Sequence, residues 1–232
     1  MAPDTPMVRL FHVSKRFTKG RETISIFDQL DLSIPRNDFV AVMGPSGSGK
    51  TTLLNLLGGI DSADAGEVNV AGRRIDGLSE GELARWRAAN IGFIFQFYNL
   101  MPMLTAAQNV ELPLLLTGLR GNDRAARVET ALSVVNLADR LKHYPREMSG
   151  GQQQRVAIAR AIVSDPNLLL CDEPTGDLDR GSADEILSIL QLLNKDLGKT
   201  IVMVTHDPAA ARYARRTLHL DKGSFIEREL AA

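Results

Sequence analysis

The stretch GPSGSGKT, Gly44 to Thr51, lies directly between an apolar run, FVAVM, and a helix-like run, TTLLNLLGG. It matches G-x-x-x-x-G-K-[ST], and the order strand, glycine-rich turn, helix is the context that gives this spacing its meaning. Glycines there let successive backbone N–H groups curl around phosphate oxygens, and the helix start adds the positive end of its dipole. The motif therefore predicts a nucleotide site on Gly44, Pro45, Ser46, Gly47, Ser48, Gly49, Lys50, Thr51 and Thr52. Lys50 is expected to reach the β- and γ-phosphates, and the Thr51 hydroxyl to ligate Mg²⁺.

A turn of this kind requires a buried strand behind it, and the rest of the chain supplies more of them. FVAVMG, LLLCDE and TIVMVTH are continuously apolar, as strands covered on both faces are. VRLFHVSKRF, ISIFDQLDLSI and EVNVAG alternate instead, as sheets with one wet face do. Ser79 and Glu82 form a capping box opening a helix through LARWRAAN. From 97 to 149 strand signals give way to TAAQNVELPLLLTG, NDRAARVETALSVVNL and ADRLKHY, which predict a helical insertion. The result is an α/β fold with a largely parallel sheet. Its core covers about residues 1–96 and 150–232, interrupted by a helical lobe.

Composition excludes several other classes. A chain of 232 residues with net charge −1 has no global basic field for nucleic acid, and none is expected as a partner. Arg212, Arg215 and Arg216 read as a solvated helix face. The single cysteine, Cys171, precludes an intramolecular disulfide and reads as a buried strand residue. The N-terminal MAPDTPMVRLF lacks a signal-peptide pattern, and VELPLLLTG, with Pro113, is too short to cross a bilayer. The expected location is cytoplasmic, with any membrane attachment supplied by another chain.

Three further motifs point at the same chemistry. LLLCDE ends a strand in two carboxylates: Asp172 is placed to hold Mg²⁺ and Glu173 to orient or deprotonate an attacking water. His206 after TIVMVT and Gln96 after IGFIF close strands whose carboxyl ends face the ligand in an open α/β sheet. MSGGQQQR presents a puzzle, because two glycines open a helix at about 1 kcal/mol each relative to alanine. Ser149 and Gln152 have capping-box spacing, which leaves Gly150 and Gly151 unexplained. Bare N–H groups at a helix start suit an anion, so this is a second phosphate site. The helical lobe sets it too far from the chain's own P-loop to share one phosphate. Ser149 is expected to lie far from Lys50 of its own chain and near Lys50 of a second copy.

With GPSGSGKT, FQ, MSGGQQQR, LLLCDEP, GDLD and VTH in this order, the chain resembles an ATP-binding-cassette (ABC) ATPase nearly end to end. The resemblance implies a RecA-like P-loop core, an antiparallel β-subdomain and the helical subdomain at about 97–149. It implies a head-to-tail homodimer with ATP and Mg²⁺ between one P-loop and the other chain's signature. Phe17 matches the adenine-stacking aromatic, where tyrosine is common. Gln96 matches the glutamine that contacts Mg²⁺ and water and reports to the membrane partner. Ser149, Gly151 and Gln152 match the signature residues, with Met148 in place of the usual leucine. Asp179 matches the D-loop aspartate and His206 the switch histidine; GDLD departs from the usual D-loop, and Asp177 takes no role from it.

NIGFIFQFYNLMPMLTAAQNVELPL and DEPTGDLD resemble the macrolide-efflux and lipoprotein-release group. The resemblance implies an integral membrane permease as partner, with Phe97 to Thr105 beneath its coupling helix, and export, lipoprotein release or mechanotransmission as the work done. A regulatory ATPase of a cell-division permease-like complex would use the same motor and is an open alternative. A soluble ABC ATPase acting on ribosomes or DNA is the third reading. It usually carries tandem cassettes, zinc-binding cysteines or coiled-coil insertions, which this sequence lacks.

Overall fold

In the computed structural model, which describes residues 5–20 and 22–226, the chain alternates strands and helices. It runs β1 (Val8–Lys19), β2 (Glu22–Ile34), β3 (Phe39–Met43), α1 (Lys50–Leu57), β4 (Ala65–Val70), β5 (Arg73–Arg74), α2 (Glu80–Asn90) and β6 (Ile91–Phe95). There follow α3 (Ala106–Glu111), α4 (Gly121–Val134), α5 (Gly150–Ile162), β7 (Leu168–Asp172), α6 (Arg180–Lys195), β8 (Thr200–Val204), α7 (Pro208–Ala211), β9 (Arg216–Asp221) and β10 (Ser224–Ile226). One sheet has the order β10-β9-β3-β8-β7-β6, with every pair from β9 to β6 parallel. The other, β2-β1-β4-β5, is antiparallel.

The continuously apolar strands are explained by two cores, one on each side of the parallel sheet. Ala41, Leu169, Cys171, Ile201 and Met203 face the side covered by α3 to α6. Val40, Val42, Leu168, Leu170, Val202 and Val204 face α1, α2 and the antiparallel sheet. A period-2 side-chain pattern read into two cores leaves no polar position. The register sets Phe95, Asp172, Val204 and Val42 on one level, so the residues that follow them emerge together at the carboxyl edge.

Three expectations need correction, and one hairpin is an addition. ADRLKHY is a series of turns, not a helix. Asn136 closes α4 in the left-handed region (φ 57) and Leu137 N–H returns to Leu132 O, a helix-ending arrangement. The turn carbonyls are then taken by the start of α3, where Ala106 and Ala107 N–H donate to His143 O (2.8 Å) and Leu141 O (3.0 Å). TAAQNVELPLLLTG splits at Pro113: α3 ends at Glu111, and Leu112–Leu116 tighten into a 3₁₀ turn. The arginine group is exposed but shares no helix face. α7 stops at Ala211, and Arg216 opens β9 with its Nε 2.8 Å from Asp38 Oδ2. Finally, β9 and β10 were not anticipated, although Asp221-Lys222-Gly223, with φ 45 at Lys222 and 78 at Gly223, carries the hairpin signal.

The two capping boxes are formed. Ser79 N–H and hydroxyl donate to Glu82 Oε2 (3.1 and 2.7 Å), while Gln152 N–H donates to Ser149 Oγ and Ser149 N–H to Gln152 Oε1. A buried asparagine shapes the loop after β6. Asn109 Nδ2 donates to Met101, Leu104 and Thr105 carbonyls, and its Oδ1 accepts from Met101 N–H at 2.7 Å. Removing it leaves buried backbone groups unpaired. Asn109→Ala should therefore lower stability by about 2–3 kcal/mol in denaturant titration, with the slope of the transition unchanged.

Candidate nucleotide site

The turn after β3 encloses a cleft of about 470 Å³ lined by Ser46, Gly47, Gly49, Lys50, Thr51, Thr52, Ile26, Glu173 and His206. Gly49 holds φ 101 and a Cβ there would stand 2.8 Å from Ile26 Cγ2, so both conformation and space demand glycine. Its carbonyl accepts from Leu53 N–H, committing the chain to α1 from Lys50 onward. Lys50 is buried and its Nζ donates to Gly44 O (2.8 Å) and Pro45 O (2.9 Å), curling back over the turn. Ser48 Oγ is buried without a partner inside the same turn. Ile26, on β2, was not foreseen as part of this cleft; nothing in an alternating strand distinguishes it.

Opposite the turn stand the carboxylates that end β7. Thr51 Oγ1 donates to Asp172 Oδ2 at 3.3 Å. Burial raises the Asp172 carboxyl above the ordinary carboxylate range and Glu173 beside it adds to the rise, against the pull of the Thr51 hydroxyl and Lys50. Glu173 occupies the left-handed region (φ 48), which costs a non-glycine residue about 1 kcal/mol. Its N–H donates to Val204 O at 3.0 Å, and its Oε2 lies 2.8 Å from His206 Nδ1. Glu173 and His206 each lie beyond their strands, which end at Asp172 and Val204. Cys171 is fully buried, and burial pushes its thiol up, so it is an inert packing residue.

The remaining sequence candidates fall outside that cleft's lining. Phe17 is 44% exposed, with Lys15 Nζ 4.9 Å from its ring centroid. Gln96, one residue past β6, donates from Nε2 to Asp177 Oδ1 at 3.4 Å. Asp177, to which the sequence assigned nothing, thus touches Gln96. Asp179 caps α6, accepting from Ser182 N–H (3.1 Å) and Oγ (2.7 Å), and these bonds lower its carboxyl. Ser149, Gly150, Gly151 and Gln152 start α5. The two glycines also have a packing reason inside the chain. A Cβ on Gly150 would stand 2.8 Å from Tyr98 Oη, and one on Gly151 2.9 Å from Ser182 Oγ. The loop FYNLMPMLT divides: Phe97, Met101 and Met103 are 68%, 48% and 72% exposed, whereas Leu100 packs against the core.

A P-loop cleft, an acidic strand end and a glycine-opened helix on one α/β scaffold describe a nucleotide-binding cassette. The chain belongs to the ABC transporter family, whose profile matches residues 27–176. It is 43% identical to the ABC transporter ATP-binding protein MJ0796 of Methanocaldococcus jannaschii, covering 96% of each chain. It is equally identical to the lipoprotein-releasing system ATP-binding protein LolD of Xylella fastidiosa, covering 96% of this chain and 92% of that one. The macrolide export ATP-binding/permease protein MacB of Marinobacter nauticus is also 43% identical, but the chain spans only 34% of its length. Among solved structures, the MJ0796 cassette dimer in a post-hydrolysis state with ADP and Pi superposes with TM-score 0.87 at 41% identity, covering 96% and 98%.

The raised Asp172 carboxyl has a consequence for the protein without nucleotide. A carboxyl that titrates higher when folded holds its proton better in the folded state, so stability falls as pH rises through the interval between its unfolded and folded values. Asp172→Asn should remove that loss while still accepting from Thr51. It should melt higher than the parent chain at about pH 8, the gap closing as pH is lowered into the carboxylate range, as read by calorimetry.

Proposed function

We propose that this chain is the ATP-hydrolysing subunit of a membrane transport complex, closing as a homodimer on ATP and driving a separate permease. The observation that carries this reading is the meeting of Lys50, Thr51, Glu173 and His206 in one cleft at the carboxyl edge of the parallel sheet. Phosphates entering the turn offer Lys50 better acceptors than the two carbonyls it now holds, and Ser46, Gly47, Gly49, Thr51 and Thr52 line their path at the start of α1. Phe17 is assigned to stacking on adenine, which its exposed ring supports. Thr51 and Asp172, two hard oxygen donors already in contact, fit Mg²⁺, which takes one or two protein ligands alongside waters and substrate phosphates. The ion would neutralise phosphate charge there; Gln96 is assigned to the same shell.

Hydrolysis follows from the carboxylate past β7. Glu173 accepts a proton from water as the water oxygen bonds to the γ-phosphorus and the bond to the β-phosphate bridging oxygen breaks. His206, within 2.8 Å of Glu173, orients that carboxylate and donates to the γ-phosphoryl oxygens. Ser149, Gly150, Gly151 and Gln152 of a second copy complete the γ-phosphate contacts, with Asp179 beside the junction. None of these four residues lines the cleft of its own chain, which supports that assignment.

The exposed apolar side chains of Phe97, Met101 and Met103, directly after Gln96, support a docking surface for the permease. Among the described residues no helix is long and apolar enough to cross a membrane. We assign the chain to the cytoplasmic face of the membrane, held there by its partner. The division into a core of about 1–96 and 150–232 and a helical subdomain of about 97–149 belongs to the same proposal.

Glu173→Gln tests the reading. It should lower ATP turnover by roughly 10²-fold or more while leaving ATP binding intact, so that the protein elutes as an ATP-stabilised dimer. Turnover at the parent rate would overturn the assignment of Glu173.

A further inference from the structure

The helix that starts at the two glycines carries a glutamine that is none of the residues considered so far. Gln154 is 0% exposed, yet it stands on the apolar stripe of α5 with Gly151 and Ile158. Its Nε2 donates to Phe95 O at 3.1 Å and to Pro174 O at 2.6 Å. Both neighbours offer only carbonyl oxygens, so the amide must present its NH₂ to them. The Gln154 Oε1 is left buried without a partner. A buried polar atom in that state costs about 1–3 kcal/mol, which an apolar side chain of the same shape would avoid.

What the side chain holds gives the reason for this arrangement. Phe95 immediately precedes Gln96, and Pro174 immediately follows Glu173. One amide group thus ties together the two segments that carry the proposed Mg²⁺ and water contacts and the proposed base. The Glu173 backbone needs such a hold, being in the left-handed region with its N–H bound to Val204 O. Six residues further along α5, the half-buried Arg160 donates to Asn99 O (2.6 Å) and Tyr98 O (2.8 Å), extending the hold along the loop after Gln96.

We propose that Gln154 is a positioning residue for hydrolysis, tying the Gln96 and Glu173 segments to α5 through one side-chain amide. This rests on the ATPase reading of the cleft. Through α5, displacement of the exposed loop at Phe97 reaches Glu173, and approach of a second copy to the α5 start reaches the same residue from the other side. Gln154 makes none of the P-loop contacts, which come from residues 44–52. Its loss should therefore affect the chemical step and spare nucleotide binding, since misplacing a reacting group by about 1 Å costs on the order of 10²-fold in rate.

The test compares Gln154→Met, which keeps shape without donors, and Gln154→Glu, which sets a carboxyl against two carbonyls. Steady-state ATPase assays on the full chain should show kcat reduced by about tenfold or more, with KM for ATP and affinity for a fluorescent ATP analogue within about twofold. A folded Gln154→Met chain with unchanged kcat, or one whose KM rises in step with a fall in Tm, would overturn the proposal. A parent chain that hydrolyses no ATP would instead overturn the function proposed above. Should neither variant fold, Phe97→Cys in the otherwise unaltered chain carries the test, because buried Cys171 does not compete for a thiol-reactive fluorophore. MgATP should then shift the emission of the label at 97; no shift at saturating MgATP overturns the coupling.

Discussion

Parallel pairing of β6, β7, β8 and β3 in strict register is the constraint on which the site depends. Phe95, Asp172, Val204 and Val42 share one level, so each chain segment leaves the sheet at the same edge. Backbone hydrogen bonds set that level, and two apolar cores hold it by covering both faces. Functional groups separated by more than 120 positions in sequence, such as Thr51 and Asp172, are thereby brought to 3.3 Å. The chemistry is placed by backbone pairing, and only the last residue or two of each segment is free to be polar.

Beyond that edge, the polar groups are mostly engaged with one another. Lys50 caps its own turn, Thr51 meets Asp172, Glu173 meets His206, and Gln96 meets Asp177. At least one member of each bond is a group whose proposed partner is phosphate, magnesium or water. Under the proposed function, an arriving nucleotide would replace the carbonyls now held by Lys50 with charge-assisted phosphate contacts. Asp172 shows the energetic side of the arrangement: its burial is unfavourable for a carboxylate alone and favourable once a cation stands beside it.

The helix α5 joins this edge to the rest of the molecule. Its two opening glycines satisfy two demands at once. They leave N–H groups bare, as the sequence suggested, and they admit Tyr98 and Ser182 within the distance a side chain would occupy. Close packing of the helix start against the loop after β6 and against α6 places the signature, the Gln96 segment and the Asp179 cap in mutual contact.

Local pattern was enough to read the α/β class, the P-loop, the acidic strand end and the two capping boxes, because each depends on residues within a few positions of one another. The family followed from the order of those motifs. ADRLKHY was misread because its carbonyls serve α3, some 35 positions earlier in the chain, and no periodicity records that debt to a distant helix. Nothing in MSGGQQQR sets Gln154 apart from the glutamines before it; burial against the carbonyls of Phe95 and Pro174 is a property of the folded chain alone. Asp177 likewise acquired a contact only when β6 and β7 were laid side by side. Short-range chemistry is written in the order of residues, whereas hydrogen-bond partners across a sheet edge exist only once pairing and burial have brought the segments together.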